Sequence, residues 1–215
     1  MGKQNFDMEQ ALALIAATAR QDEPLPSESF GRDPYKVWVS CIISLRTRDA
    51  VTAVAGPRVI ARYGGIDALA EADSQELARL IYPAGFYNQK AGQLIAAAKV
   101  VQERFGGVIP HDIDDLVTLP GTGRKTANLV RTVGFGLPGI CVDTHVHRLC
   151  NRFGYVRTRT PDDTEAALRK KLPAHLWMDI NRLLVLWGQQ VCLPRNPRCA
   201  TCAVAATCPR VGVGK

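Results

Sequence analysis

The 215-residue sequence predicts an all-α fold. Three observations predict it. Apolar residues recur three and four apart through most of the chain, the period of a helix buried on one face. Glycine and proline breaks fall between those stretches. No convincing run of alternating apolar and polar residues points to a sheet.

Residues 8–20 place Met8, Ala11, Leu12, Ile15 and Ala19 on one helical face. Residues 22–34, DEPLPSESFGRDP, are rich in proline, serine and charge, have no apolar period, and read as a linker. Residues 35–45, YKVWVSCIISL, are apolar almost all round, as a central buried helix is. Their valines and isoleucines leave a strand open on pattern alone. Arg48 to Tyr63 returns to helical turns. Helices also fit 74–81, 88–105, 112–118, 124–135, 143–153, 162–171 and 177–190. Breaks fall at Gly64-Gly65, Pro83-Ala84-Gly85, Gly106-Gly107, Pro120-Gly121 and Gly136 to Gly139.

Apolar residues make up 47% and charged residues 22%, ordinary for a globular protein with one large domain or two small ones. The formal charge of +7 points to a polyanionic partner such as nucleic acid. The start, MGKQNFDMEQ, has no basic segment followed by an apolar signal core, and Phe6 breaks the myristoylation pattern after Gly2. Apolar runs such as Ala11 to Ala19 are too short to span a bilayer. The expectation is a cytoplasmic protein with no membrane partner.

Four of the seven cysteines crowd the C-terminal end as Cys192-x6-Cys199-x2-Cys202-x5-Cys208. In a reducing compartment such clustering favours a metal centre over disulfides. Spacing alone leaves zinc and an iron–sulfur cluster both open, although Cys192-x6-Cys199 departs from the paired Cys-x2–4-Cys habit of zinc. Cys41, Cys141 and Cys150 stand in apolar surroundings and read as small core residues.

LPGTGRKTA, residues 119–127, looks at first like a phosphate loop of the nucleotide-binding kind. Arg124 separates Gly123 from Lys125, and Thr118 stands where the first loop glycine belongs, so that reading fails twice. Asp112 is a plausible cap for the preceding helix, and Leu119 to Gly123 then form a tight hairpin between two helices. Gly121 and Gly123 permit positive φ and close backbone approach. Amides at the start of the second helix attract phosphate oxygens, and Arg124 adds a charge there.

With Val142-Asp143-Thr144-His145 about twenty residues downstream, this hairpin resembles the helix-hairpin-helix DNA glycosylase superfamily named for its Gly/Pro-rich loop and aspartate. Within it the sequence is similar to the endonuclease III family, from about residue 10 to Cys208. The resemblance implies a two-lobed fold: a six-helix bundle lobe and an iron–sulfur cluster lobe, with the DNA cleft between them. The corresponding boundaries are 27–137 for the bundle lobe, and 1–26 with 138–215 for the cluster lobe. It implies a bifunctional glycosylase/AP lyase that excises oxidised pyrimidines from damaged double-stranded DNA. A monomer associated with the bacterial nucleoid is the accompanying expectation. A monofunctional mismatch glycosylase and a non-catalytic DNA-binding module are the alternatives.

Detaching a base from its sugar needs a nucleophile at C1′ and a group that stabilises positive charge on the sugar. A lysine amine serves only when neutral, and its free pKa is about 10.4. Burial, neighbouring Arg124 and a helix N-terminus would all disfavour the ammonium of Lys125. By resemblance Lys125 attacks C1′, leaves a Schiff base and cuts the strand by β-elimination, with Asp143 assisting. Superfamily members that only hydrolyse the bond carry Ser or Tyr at the lysine position. The adenine-removing ones also carry Glu in Trp-x-Ser-Glu, where this chain has Trp38-Val39-Ser40-Cys41.

The same resemblance implies a [4Fe–4S] cluster on Cys192, Cys199, Cys202 and Cys208. The stiff loop between the first two presents Arg195 and Arg198 to phosphates. A base that leaves the stack also needs its gap filled. The family's Ser-x-Gln-x-Thr-Asp corresponds to Ser44-Leu45-Arg46-Thr47-Arg48-Asp49, so Arg46 replaces the gap-filling glutamine. The family's Gly-Leu-Tyr turn corresponds to Gly85-Phe86-Tyr87, which makes Phe86 a second wedge or else a core residue.

Overall fold

The computed structural model describes residues 6–20 and 31–214, and among them no strand occurs. Residues 22–30 of the expected linker, and Gly2, lie outside this range. In chain order the α-helices are α1 (Met8–Thr18), α2 (Pro34–Ser44), α3 (Asp49–Arg62), α4 (Ile66–Ala70), α5 (Ser74–Ile81), α6 (Tyr87–Phe105), α7 (Ile113–Leu116), α8 (Arg124–Leu129), α9 (Thr144–Arg152), α10 (Pro161–Lys171) and α11 (Asp179–Gln190). The chain divides into two compact units, Met1–Glu23 with Pro138–Lys215, and Pro24–Leu137.

In the Pro24–Leu137 unit, α2 is the axis. Asp33 caps it by accepting the Lys36 amide at 3.1 Å, and Pro34 opens it, where a missing N–H leaves nothing unpaired. Val37 through Ile43 are all buried. The unbroken apolar pattern therefore marks a helix enclosed on every side, and the strand reading of 35–45 falls. Helices α3, α6 and α8 pack on α2, and α4 and α5 pack on the 19-residue α6. Trp38, Ile42, Leu69, Leu77, Leu94 and Leu116 are fully buried between them. Each contributes on the order of 1.5–3 kcal/mol through area removed from water.

In the other unit, α1 and α9 pack on α11, and α10 packs on α9. Asp7 caps α1 through the Gln10 amide at 3.0 Å, and Thr160 forms a reciprocal capping box with Asp163 at the start of α10. Leu12, Ile15, Leu149, Leu168 and Leu184 fill the interior, and the Phe6 ring stacks on Phe153 at 4.8 Å.

The structure departs from the expected elements in three places. Helix α4 is too short for a period to show, and follows Gly64-Gly65 directly. The run expected to be one helix over 124–135 is α-helical only to Leu129, then widens into a π turn over Val130–Gly134. Gly134 lies against Pro34 there, and the Thr132 hydroxyl back-bonds to the Asn128 carbonyl at 2.8 Å, both consistent with a locally widened turn. The expected helix over 177–190 begins only at Asp179, behind a 3-10 turn at Ala174–Leu176.

A Cβ at Gly134 would lie 2.8 Å from the Pro34 Cα, a backbone atom that cannot step aside. Gly134→Ala is expected to cost about 1–3 kcal/mol, read as a lower urea midpoint; an unchanged midpoint would mean that the π turn and α2 are not in fixed contact.

Candidate functional site

The hairpin between α7 and α8 is fixed from below. The Trp38 indole, fully buried on α2, donates to the Thr122 hydroxyl at 2.9 Å, and Thr122 is itself 6% exposed. The Thr122 amide bonds the Leu119 carbonyl at 2.9 Å and closes the turn. Gly121 has φ +80° and packs against the Gln93 side chain. Gly123 does not use positive φ. It is extended (φ −88°), serves as N-cap of α8 with no side chain to satisfy the helix amides, and has nothing within 4 Å of where a Cβ would stand. Of the two glycines that permit positive φ, only Gly121 adopts it.

Lys125 follows in the first turn of α8, beside Arg124, whose guanidinium is 4.0 Å from the Asp114 carboxylate. Lys125 is exposed, where the sequence predicts burial. The sequence expectation is corrected on that point, because the residue points away from a core that Thr126 and Ala127 fill. Beneath the hairpin, burial pushes the Cys41 thiol up to about 12, and the positive charge of Lys125 pulls against that shift. Cys41 is a fully protonated core residue at neutral pH, close enough to Lys125 to feel its field.

Asp143 is the N-cap of α9. Its Oδ1 accepts from the His145 amide at 2.8 Å and the Val146 amide at 2.9 Å, while Ile140, Cys141 and Val142 behind it are buried. The Asn181 side chain holds the Cys141 carbonyl at 3.2 Å. The carboxylate is thus oriented by the helix start it caps. Lys125 belongs to the Pro24–Leu137 unit and Asp143 to the other.

Arg46 and Phe86 come together. The guanidinium carbon of Arg46 lies 5.7 Å from the centre of the Phe86 ring. Phe86 is 59% exposed and is not a core residue. Behind them Lys90 is buried, a feature the sequence reading passed over. Its signal was present: on α6 it stands in register with the buried Leu94, Ala97 and Val101.

The four C-terminal cysteines line one cavity, together with Arg152 and Arg198. No group of three or more His, Cys, Asp or Glu side chains among the described residues closes around a single ion. The walls of the cavity are tied down. Arg152 donates to the Cys192 sulfur at 3.3 Å, to the Leu193 carbonyl at 2.7 Å and to the Pro194 carbonyl at 2.9 Å. Arg148 donates to the carbonyls of Gly188 at 3.1 Å and Cys192 at 2.9 Å. Burial raises the Cys208 thiol above its ordinary value, with the other three cysteines adding to the effect and a backbone hydrogen bond at Arg210 opposing it. Arg195 and Arg198 are exposed on the loop between the first two cysteines, where Asn196 adopts φ +50°. Neither Arg148 nor Arg152 was marked by sequence, since both sit in an ordinary helical stretch.

Comparison with known proteins bears on the family of the chain. Residues 39–174 match the HhH-GPD superfamily, described as base excision DNA repair proteins. The chain is 44% identical over 176 residues to endonuclease III of Thermotoga maritima, a match covering 82% of this chain and 83% of that protein. It is 43% identical over 187 residues to endonuclease III-like protein 1 of Bos taurus, covering 86% of this chain but 61% of that longer protein. A solved structure of a trapped endonuclease III–DNA covalent intermediate superposes with a TM-score of 0.82 at 28% identity over 94% of each chain. A thermostable thymine-DNA glycosylase superposes with a TM-score of 0.84 at 24% identity, which speaks for the fold alone.

Trp38→Phe removes the indole donor and leaves the Thr122 hydroxyl buried without it. The expected loss is about 1–3 kcal/mol of stability, measured by urea unfolding; a midpoint equal to that of the unsubstituted protein would show that this bond does not hold the hairpin.

Proposed function

Since the chain belongs to the HhH-GPD superfamily of base excision DNA repair proteins, we propose that it is a bifunctional DNA glycosylase/AP lyase acting on oxidised pyrimidines in duplex DNA, with Lys125 as its nucleophile. One observation carries the choice. An exposed lysine stands in the first turn of the helix behind a hairpin anchored on the core; the family resemblance implies Ser or Tyr at this position in members that only hydrolyse the bond.

The Lys125 amine attacks C1′ of a nucleotide turned out of the stack, and the glycosidic C–N bond breaks with its electron pair leaving on the base. The sugar ring opens to a Schiff base on Nζ. Loss of a proton from C2′ then expels the 3′ phosphate and cuts the strand. Asp143 accepts the proton that the attacking amine must lose, and its negative charge stabilises the developing cation on the sugar. Since Lys125 is exposed in the protein alone, bound DNA has to exclude water from its amine. Gly121 and Gly123 let a phosphate approach the hairpin closely, and Arg124 adds charge there. Arg195 and Arg198 contact the backbone elsewhere. The substrate is damaged double-stranded DNA; the protein acts as a monomer in the cytoplasm, at the nucleoid. Among the described residues no helix is long and apolar enough to cross a membrane.

Cys192, Cys199, Cys202 and Cys208 would hold a [4Fe–4S] cluster. Four cysteines line one cavity, with Arg152 donors aimed at one sulfur and at the backbone between ligands, a donor set that accommodates a thiolate-held cluster; the resemblance to the endonuclease III family favours iron–sulfur over zinc. Such a cluster supplies structural closure of the loop that carries Arg195 and Arg198; base excision itself moves no electrons.

Lys125→Gln is expected to abolish both strand cutting and the borohydride-trapped protein–DNA adduct. An adduct that persists in this variant would refute the assignment. Asp143→Asn retains an oxygen acceptor for the cap while losing the charge. Excision is expected to slow by about 10²–10⁴-fold with the unfolding midpoint nearly unchanged; equal loss of stability and rate would reduce Asp143 to a helix cap. The purified protein is expected to show the visible absorption of an iron–sulfur cluster, and a colourless zinc-containing protein would overturn that part.

A further inference from the structure

Lys90 is 3% exposed and is the only buried lysine or arginine among the described residues; the equally buried Glu165 is paired with Arg169. A buried ammonium is costly unless every donor is matched. Here the match is complete: Nζ donates to the Ile43 carbonyl at 2.6 Å, the Leu45 carbonyl at 2.6 Å and the Thr47 hydroxyl at 2.8 Å. An ammonium has three N–H donors, and three acceptors meet it. Two of them are carbonyls at the end of α2, where helix geometry leaves acceptors unpaired and the dipole favours a cation. Burial pushes Lys90 down to about 8, which still leaves it mostly charged at neutral pH.

The third acceptor links this clamp to a second loop. Thr47 Oγ1 also accepts the Gly85 amide at 3.1 Å, so one hydroxyl joins the loop after α2 to the turn before α6. The two backbones are too close for a side chain: a Cβ at Gly85 would sit 2.7 Å from the Arg46 carbonyl oxygen. Arg46 (φ +52°) and Phe86 (φ +58°) are both left-handed, a conformation costing roughly 1–2 kcal/mol for a residue with a Cβ. Such conformations persist where the surroundings over-determine them, and they gather at functional positions.

We infer that Lys90 is a positioning residue: with Thr47 it locks the two loops together so that Arg46 and Phe86 form one stacked wedge, already assembled before DNA binds, for the gap left by the extruded nucleotide. The inference rests on the excision reading above. A prebuilt wedge avoids ordering two exposed side chains at the moment of duplex opening. The guanidinium over the ring gives the wedge an apolar face to stack on bases and a donor edge for the base left behind.

The test compares two reactions of each protein. One is base release under single-turnover conditions from a duplex containing an oxidised pyrimidine, which requires opening. The other is cutting at an abasic site in single-stranded DNA, which does not. Lys90→Met and Thr47→Val are expected to slow the duplex reaction about 10- to 100-fold more than the single-strand reaction, whereas Thr47→Ser, which keeps the hydroxyl, retains the ratio of the unsubstituted protein. A 2-aminopurine placed opposite the lesion is expected to brighten with the unsubstituted protein and to stay dim with Lys90→Met at saturating protein. Should Lys90→Met fail to fold, Thr47→Val against Thr47→Ser decides. An unchanged ratio and an unchanged fluorescence signal in the folded variants overturn the role of Lys90. An unsubstituted protein inert on both substrates overturns the excision reading instead.

Discussion

The hydrogen bond from the Trp38 indole to the Thr122 hydroxyl is the constraint on which the candidate site depends. An indole N–H enclosed on all sides must find an acceptor, because leaving it unpaired costs about 1–3 kcal/mol. The acceptor it finds lies in the hairpin. A core requirement of α2 therefore sets the height and tilt of the turn, and the turn sets where α8 begins. Lys125 takes its place from that beginning. Its own side chain is exposed, so precision comes from the backbone beneath it rather than from packing around the amine.

The same helix organises a second element of the unit. Where α2 ends, its carbonyls receive the Lys90 ammonium, and the loop that follows carries Arg46. The hairpin that carries Lys125 and the loop that carries Arg46 are thus both referred to one enclosed helix. The other unit follows a parallel logic with different means. Asp143 is oriented by the amides of the helix it caps, and the cysteine loop is drawn in by Arg148 and Arg152 from the same helix α9. In both units helix ends hold polar groups in place, as Asp143 at the start of α9 and Lys125 in the first turn of α8.

Much of this was legible in the sequence. Periodicity located most of the helices because their apolar faces are continuous, as in α1 and α2. The hairpin, Lys125, Asp143 and the four cysteines could be singled out because each is local, with its residues close in the chain. What escaped notice was set by contacts between distant segments. The π turn shows no pattern of its own and involves Pro34, a hundred residues upstream of Gly134 by numbering. The pairing of Trp38 with Thr122 joins residues 84 apart. The register of Lys90 with Leu94, Ala97 and Val101 signals its burial, but its acceptors are backbone carbonyls 45 and 47 positions away, which no side-chain pattern encodes. Burial of Lys125 was expected from its proposed chemistry, yet the side chain is exposed, because the inward positions of its turn are taken by Thr126 and Ala127.

The most direct measurement is peptide mapping by mass spectrometry of the borohydride-reduced adduct formed on a lesion-bearing duplex. The sugar remnant is expected on the Nζ of Lys125. A remnant on Lys90, on the N-terminal amine or on any other lysine, or the absence of an adduct while base is still released, would contradict the assignment of Lys125 as the nucleophile.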